Sequence, residues 1–247
     1  MAKELIGSLE LNRIYQRDCI EGMKMLPDKS VDMILCDLPY GTTRNKWDST
    51  IPLELLWEQY ERIIKDDGGI VLTAQTPFDK VLGASNLKLL KYEWIWQKTQ
   101  GTGHLNAKKM PMKNHENILV FYKKLPTYNP QMTEGIPYVQ KSGRASSNYN
   151  PQVSVVTENK GERYPLSVQK FKSEKGLHPT QKPTELFEYL IRTYTNPCDI
   201  VLDNCMGSGT TAVAAVRTNR KFIGFETEPE YVEIANKRLD NEVEAAQ

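Results

Sequence analysis

The amino-acid sequence predicts an α/β fold: an open, doubly wound, mostly parallel sheet with helices on both faces. Three observations predict it. Val31–Cys36 is a short apolar run that stops at an acid, Asp37, and Pro39 and Gly41 punctuate the turn beyond it. Asp199–Thr218 reads as strand, acid, glycine turn and Ala/Val-rich helix. Around these two stretches, short β-prone runs alternate with segments of helical periodicity, as expected of parallel strands joined by crossover helices.

From the N-terminus, Arg13–Arg17 is a strand candidate that ends at Asp18-Cys19, and Ile20–Leu26 offers one or two helical turns before Pro27. Leu53, Leu56, Trp57, Tyr60, Ile63 and Ile64 recur at helical spacing, with Pro52 where a first turn tolerates it and Gly68-Gly69 as a stop. Ile70–Thr73 reads as a strand, Phe78–Leu90 as a helix, and Tyr92–Trp96 and Ile118–Tyr122 as two further strands. Thr184–Tyr194 is a helix with Leu186, Phe187, Leu190 and Ile191 on its apolar face. Asp199–Leu202 is a strand, Thr210–Thr218 a helix, and Lys221–Phe225 a strand that ends at Glu226. Glu230–Glu242 closes the chain as a charged amphipathic helix, and no internal repeat is present.

A formal net charge of +1 over 247 residues excludes a global attraction to polyanions, so any nucleic-acid surface is local. Residues 97–115 carry Lys98, Lys108, Lys109 and Lys113 and no acid. Between Phe121 and Gly176 stand nine Lys or Arg against four Glu, in a stretch rich in Asn, Gln, Ser, Pro and Tyr. That stretch is too long for an ordinary loop and reads as an inserted functional segment, 124–176, between flanking parts 1–123 and 177–247. Lys and Arg there would contact phosphates, and Asn, Gln and Ser read base edges; a merely solvated face is the plain alternative. The candidates are Lys108, Lys109, Lys113, Lys141, Arg144, Arg163 and Lys172, with Trp47 as an aromatic that could reach DNA.

Four cysteines without CxxC spacing and three scattered histidines argue against a structural metal and a disulfide framework. Thiols in apolar strand contexts suit a reducing cytoplasm. No apolar run is long enough to span a bilayer, so neither a membrane partner nor a membrane location is expected. Pro197-Cys198 precedes a strand rather than following one, so Cys198 reads as structural, and His178 as orienting a loop.

Two constellations carry chemistry. Glycines at 207 and 209 let backbone approach a ligand, and the helix after them offers unpaired N–H donors. Glu226, one strand later, stands where an acid meets ribose hydroxyls. There is no GxxxxGK[ST], and Asp203 would repel a pyrophosphate, so a cofactor with a cationic centre and no phosphate suits these residues. Asp37, taken alone, reads first as a cap after a strand; Pro39-Tyr40 and the glycine motif beside it shift the reading to chemistry.

DLPY at 37–40, HPTQKP at 178–183 and DNCMGSGTT at 203–211, in that order, resemble the β group of S-adenosylmethionine-dependent DNA amino-methyltransferases. The resemblance implies a Rossmann-like methyltransferase fold with permuted motif order, a catalytic part first, a target-recognition segment next and a cofactor part last. It places Val31–Cys36 beside Asp199–Leu202, and Arg13–Arg17 beside Lys221–Phe225. It implies that Asp37, Leu38, Pro39 and Tyr40 form the catalytic turn, with Asp37 also against the cofactor. Asp203, Gly207 and Gly209 match the cofactor's glycine motif, with Cys205, Ser208, Thr210 and Thr211 in the same run. Glu226 matches the ribose acid, Asp18-Cys19 the adenine-contacting position, and Lys182 the motif flanking the cofactor's methionine end. Leu38 departs from the proline usual at its position but keeps the carbonyl. Asp at the first position is associated with adenine N6 as the target, in double-stranded DNA. An N4-cytosine or RNA methyltransferase, or a DNA-binding protein without catalysis, remain alternatives, and an NAD-dependent enzyme is a distant one. A homodimer and a cognate restriction endonuclease are partners that the resemblance permits and no residue establishes.

Overall fold

The structure is a computed structural model that describes residues 3–41, 51–141, 156–174 and 181–245. Trp47, Arg144 and His178 lie outside the described residues. The chain divides into two compact units, residues 1–129 with 167–247, and residues 130–166.

The larger unit holds an eight-stranded sheet. Its strands are β1 (Arg13–Gln16), β2 (Val31–Asp37), β3 (Ile64–Ala74), β4 (Leu90–Thr102), β5 (Lys113–Phe121), β6 (Val168–Phe171), β7 (Ile200–Asp203) and β8 (Lys221–Glu226). The spatial order is β6-β4-β5-β3-β2-β7-β8-β1. All neighbours pair in parallel except around β5, which runs antiparallel to both β3 and β4. Both expected adjacencies are present: Met33 and Ile34 on β2 face Val201 and Leu202 on β7, and β1 pairs with β8 from Arg13–Ile223 to Gln16–Glu226.

Continuous apolar sequence in β2 follows from burial on both faces. Ile34 and Cys36 point into one core with Leu56, Tyr60 and Ile63 of α2 (Leu53–Ile63) and Leu82 of α3 (Phe78–Ser85). Met33 and Leu35 point into the other, with Leu186, Phe187 and Leu190 of α4 (Thr184–Tyr194) and Ala212 and Ala215 of α5 (Thr210–Arg217). The short helix α1 (Cys19–Lys24) lies on the first face, and the last helix, α6 (Pro229–Ala245), packs Ala235 on the second. No helix among the described residues is long and apolar enough to cross a membrane.

The structure redraws several expected boundaries. The strand expected at 70–73 begins at Ile64, and its register against β2 jumps from Val31–Ile64 to Met33–Gly69, so the intervening polar residues bulge. The helix expected to reach Leu90 stops at Ser85. Much of 97–115 is strand rather than connection, because β4 and β5 extend as a long hairpin to Thr102 and Lys113. Lys98 is thereby withdrawn from the expected basic surface: its ammonium pairs with Glu116 at 2.5 Å, and both side chains are largely buried.

The smaller unit is also narrower than the expected 124–176. Asn129 binds into the end of α4, donating to Thr193 O at 2.7 Å, and Tyr128 packs on Tyr194. Residues 168–171 form β6, a sheet edge whose Phe171 carbonyl accepts from Trp96 Nε1 at 3.0 Å. Within 130–166, Tyr138–Lys141 pairs antiparallel with Val156–Asn159, and Thr133–Glu134 with Glu162–Arg163.

Candidate active site

β2 and β7 are adjacent parallel strands whose chains leave toward opposite faces, α2 on one and α5 on the other. This is the switch point at which open α/β sheets form ligand crevices. A cavity opens there, lined by Asp18, Cys19, Asp37–Tyr40, Glu116, Lys182, Asp203–Ser208, Thr210, Thr211 and Glu226 among others. The structure thus brings together every expected catalytic and cofactor-binding residue except Gly209, which lies just behind the lining.

The glycine turn is built by local constraint. Gly207 and Gly209 have φ of +51° and +83°, conformations that L side chains rarely adopt. A Cβ on Gly209 would stand 2.8 Å from Ala235 Cβ, so only glycine lets the last helix close on the turn. A Cβ on Gly207 meets nothing nearer than Cys205 O at 4.0 Å, which leaves that backbone open to the cavity. Arg238, not anticipated from sequence, donates to Ser208 O at 2.8 Å and ties the turn to the last helix.

The carboxylates differ in their partners. Glu226 accepts backbone N–H from Gly207 at 2.7 Å, Thr227 at 2.8 Å and Glu228 at 2.9 Å. Asp203 is buried and accepts from Thr211 Oγ1 at 2.5 Å and Cys205 N at 2.9 Å. Burial pushes its carboxyl up to about 6. Asp18 caps the helix after it, accepting from Ile20 N at 3.0 Å and Glu21 N at 3.1 Å. The neighbouring thiols meet beneath the turn: a hydrogen bond from Cys205 draws Cys19 down, while burial pushes Cys36 up to about 12.

Asp37 is the most heavily engaged. Oδ1 accepts from Tyr40 OH at 2.7 Å and from the Thr73 hydroxyl, and Oδ2 accepts from Lys182 Nζ at 2.5 Å. Lys182 is 5 % exposed, and its ammonium also stands 3.5 Å from Glu116 Oε2 and 5.5 Å from the centre of the Tyr40 ring. Burial works against that ammonium, but Asp37 and Glu116 outweigh it and hold its pKa above the usual lysine range. Tyr40 stacks on Phe78 at 5.3 Å, and burial first, then Asp37, push its phenol well up. Leu38, where the resemblance has proline, is 3 % exposed and anchors the turn by packing into the core shared with α2.

Thr73, Glu116, Lys98 and Phe78 complete this site and were missed from sequence. Thr73 had a signal: it is the last residue of the strand expected at 70–73, and in β3 it lies directly opposite Asp37. Glu116 had a weaker one, an acid immediately before the apolar run that forms β5.

The cavity lining fits S-adenosylmethionine. Five carboxylates (Asp18, Asp37, Glu116, Asp203, Glu226) face two cations (Arg17, Lys182), a balance that attracts a sulfonium and repels a pyrophosphate. The open backbone at Gly207 gives a nucleoside room to lie against the turn.

Of the basic candidates, Lys108, Lys109 and Lys113 are exposed at the β4–β5 hairpin, Lys172 is exposed just after β6, and Lys141 is exposed in the smaller unit. Arg163 is engaged inside that unit: it donates to Asn159 Oδ1 at 2.5 Å and to the Ile136 carbonyl, and stacks on Tyr138 at 4.8 Å.

Fold and site together define a Rossmann-like methyltransferase. The family model N6_N4_Mtase, described as DNA methylase, matches residues 31–237. Type II methyltransferase M1.MboII of Moraxella bovis is 32 % identical, over 92 % of this chain and 96 % of its own. DNA adenine methyltransferase YhdJ of Escherichia coli K12 is 29 % identical, over 94 % of this chain and 83 % of its own. The crystal structure of the M1.HpyAVI–SAM complex superposes with a TM-score of 0.65 at 28 % identity, covering 92 % of this chain and 98 % of that one. The chain belongs to this DNA methylase family, the S-adenosylmethionine-dependent amino-methyltransferases acting on adenine N6 or cytosine N4.

Proposed function

We propose that this enzyme methylates the exocyclic N6 of adenine at a specific site in duplex DNA. The observation that carries the reading is Asp37, an aspartate at the end of β2 that shares one cavity with the glycine turn of β7. Aspartate at this position is what the family resemblance associates with adenine. The name of YhdJ, a DNA adenine methyltransferase aligned over most of this chain, points the same way.

S-adenosylmethionine, when bound, supplies an electrophilic sulfonium methyl. The chain's task is to present a nitrogen to it. An exocyclic amino group is a poor nucleophile because its lone pair is delocalised into the ring. Asp37 and the Leu38 carbonyl accept hydrogen bonds from its two N–H groups, draw the nitrogen toward tetrahedral geometry and aim the lone pair; one of those protons leaves the nitrogen once it is methylated. Holding both reactants in line supplies much of the rate. Tyr40, braced by Phe78, stacks on the base, which leaves the duplex at a cost of a few kcal/mol. Glu226, Asp203, Asp18, Cys19 and the 205–211 turn hold the nucleoside end of the cofactor. Within the segment 124–176 the smaller unit, 130–166, reads the target, and Lys108, Lys109, Lys113, Lys141 and Lys172 contact phosphates.

Expression in a methylation-free host tests this directly. Mass analysis of host nucleosides should yield N6-methyladenine, and modification-sensitive sequencing should place it in one short motif. N4-methylcytosine in its place would overturn the adenine assignment.

A further inference from the structure

Asp37 carries three donors in the structure, two hydroxyls on Oδ1 and the Lys182 ammonium on Oδ2. Oδ1 already takes two donors, so an amino hydrogen arriving at Asp37 has to use Oδ2, where it competes with the ammonium. The ammonium is a strong competitor, because charge-assisted hydrogen bonds are roughly twice as strong as neutral ones. A second acceptor for it is already in place. Glu116 Oε2 is buried, has no hydrogen-bond donor among the described residues, and lies 3.5 Å from Lys182 Nζ. The other oxygen of Glu116 is held by Lys98 at 2.5 Å, which fixes the carboxylate on the β5 side of the cavity. A movement of less than about 1 Å brings the ammonium within hydrogen-bonding distance of Oε2. Two carboxylates and two ammoniums make the set neutral, so the movement changes no net charge. The Tyr40 ring, 5.5 Å away, lies beside the ammonium.

We infer that Glu116 is a positioning residue for methyl transfer: it takes the Lys182 ammonium from Asp37 and frees Oδ2 for the amino group of the target base. Lys98 holds Glu116 ready to receive it. This rests on the reading of Asp37 as the acceptor. A buried carboxylate oxygen without a hydrogen-bond donor is unfavourable, and such groups call for an explanation; here its donor is the Lys182 ammonium 3.5 Å away, which closes onto it when the substrate takes Oδ2.

The test is a double-mutant cycle on the purified full chain, read by single-turnover methyl transfer to duplex DNA and by S-adenosylmethionine binding calorimetry. Glu116→Gln keeps the shape and loses the charge. It should slow transfer about 10–100-fold with cofactor affinity within about threefold, and Glu116→Asp should recover most of the rate. In a Lys182→Met background, Glu116→Gln should cost less than about twofold more, since its only route is through Lys182. Wild-type transfer by Glu116→Gln overturns the inference. So do multiplying effects of the two substitutions, and so does a cofactor affinity that falls in step with the rate. Asp37→Asn in the same assay separates the two readings: an inactive Asp37→Asn beside a normal Glu116→Gln removes only the inference, whereas a normal Asp37→Asn removes the acceptor reading beneath it.

Discussion

Asp37 and Asp203 occupy equivalent places. Each ends a parallel strand, the strands are neighbours, each lines the same cavity, and each takes a hydrogen bond from one threonine hydroxyl. They differ in charge partner and burial. Asp37 is partly exposed and ion-paired to Lys182, whereas Asp203 is buried and its donors among the described residues are neutral, the Thr211 hydroxyl, the Cys205 backbone amide and the Cys36 thiol. Burial without a cation pushes Asp203 up to about 6. One scaffold position therefore yields two chemistries. A carboxylate paired to a lysine that can move away serves a polar substrate, while one buried without a cation braces a turn.

The largest expected effect breaks the pair at Asp37. Asp37→Asn preserves shape but removes the charge that accepts the amino hydrogen. Single-turnover transfer should fall about 10²–10³-fold, the range for loss of one preorganised transition-state hydrogen bond. S-adenosylmethionine binding should stay within about threefold, because Asp203, Glu226 and the glycine turn are untouched. A parallel collapse of binding would move Asp37 from the acceptor role to the cofactor's.

The second effect belongs to Asp203 and is read by pH. A carboxyl whose folded pKa is raised binds its proton more tightly in the native state. Its contribution to stability is thus complete below the unfolded value of 3.8 and is lost as pH rises through about 6. The loss amounts to at most about 3 kcal/mol. Asp203→Asn stays neutral throughout, so its melting temperature should gain on the wild type between pH 5 and 7.5, by roughly 5 °C. Parallel melting curves across that window would show Asp203 to be ionised and well solvated.

The half of this comparison that sits on local sequence was legible. An apolar run stopped by Asp37, a second run stopped by Asp203, and glycines at 207 and 209 identify both strand ends and the turn, because the signals lie within a few residues of one another. Of the partners of Asp37, Tyr40 and Lys182 lie in legible motifs, whereas Thr73 does not, nor do Glu116 and Lys98, which act on Asp37 only through Lys182. Thr73, Glu116 and Lys98 reach the site through strand register, Asp37 opposite Thr73 and Trp96 opposite Glu116, and register is set by long-range packing. Lys98 reads as a solvent cation because its acid lies across the hairpin, one residue beyond the lysine-rich stretch. The edge strand 168–171 escaped for another reason: only one of its faces is partly buried, so four residues carry too little apolar periodicity to stand out. Leu38 is a third case, since its role is to fill a core whose shape depends on α2, which no residue near the turn announces.

The smallest expected effects come from the two threonines, and they sharpen the contrast most finely. Thr73→Val removes a neutral donor from Asp37, and Thr211→Val removes one from Asp203. A neutral hydrogen bond is worth about 0.5–1.5 kcal/mol net, so each change is about 2–10-fold in whatever its carboxylate controls. If Asp37 serves transfer, Thr73→Val alters the single-turnover rate and leaves the pH dependence of melting alone. The Thr211 hydrogen bond lowers the pKa of Asp203, so Thr211→Val should raise it further and move the stability change to higher pH, with the transfer rate at saturating cofactor nearly unchanged. The two substitutions remove the same chemical group from equivalent places. Effects that crossed over, a rate change from Thr211→Val and a pH change from Thr73→Val, would mean that the two strand ends titrate and act as one coupled pair rather than as separate sites.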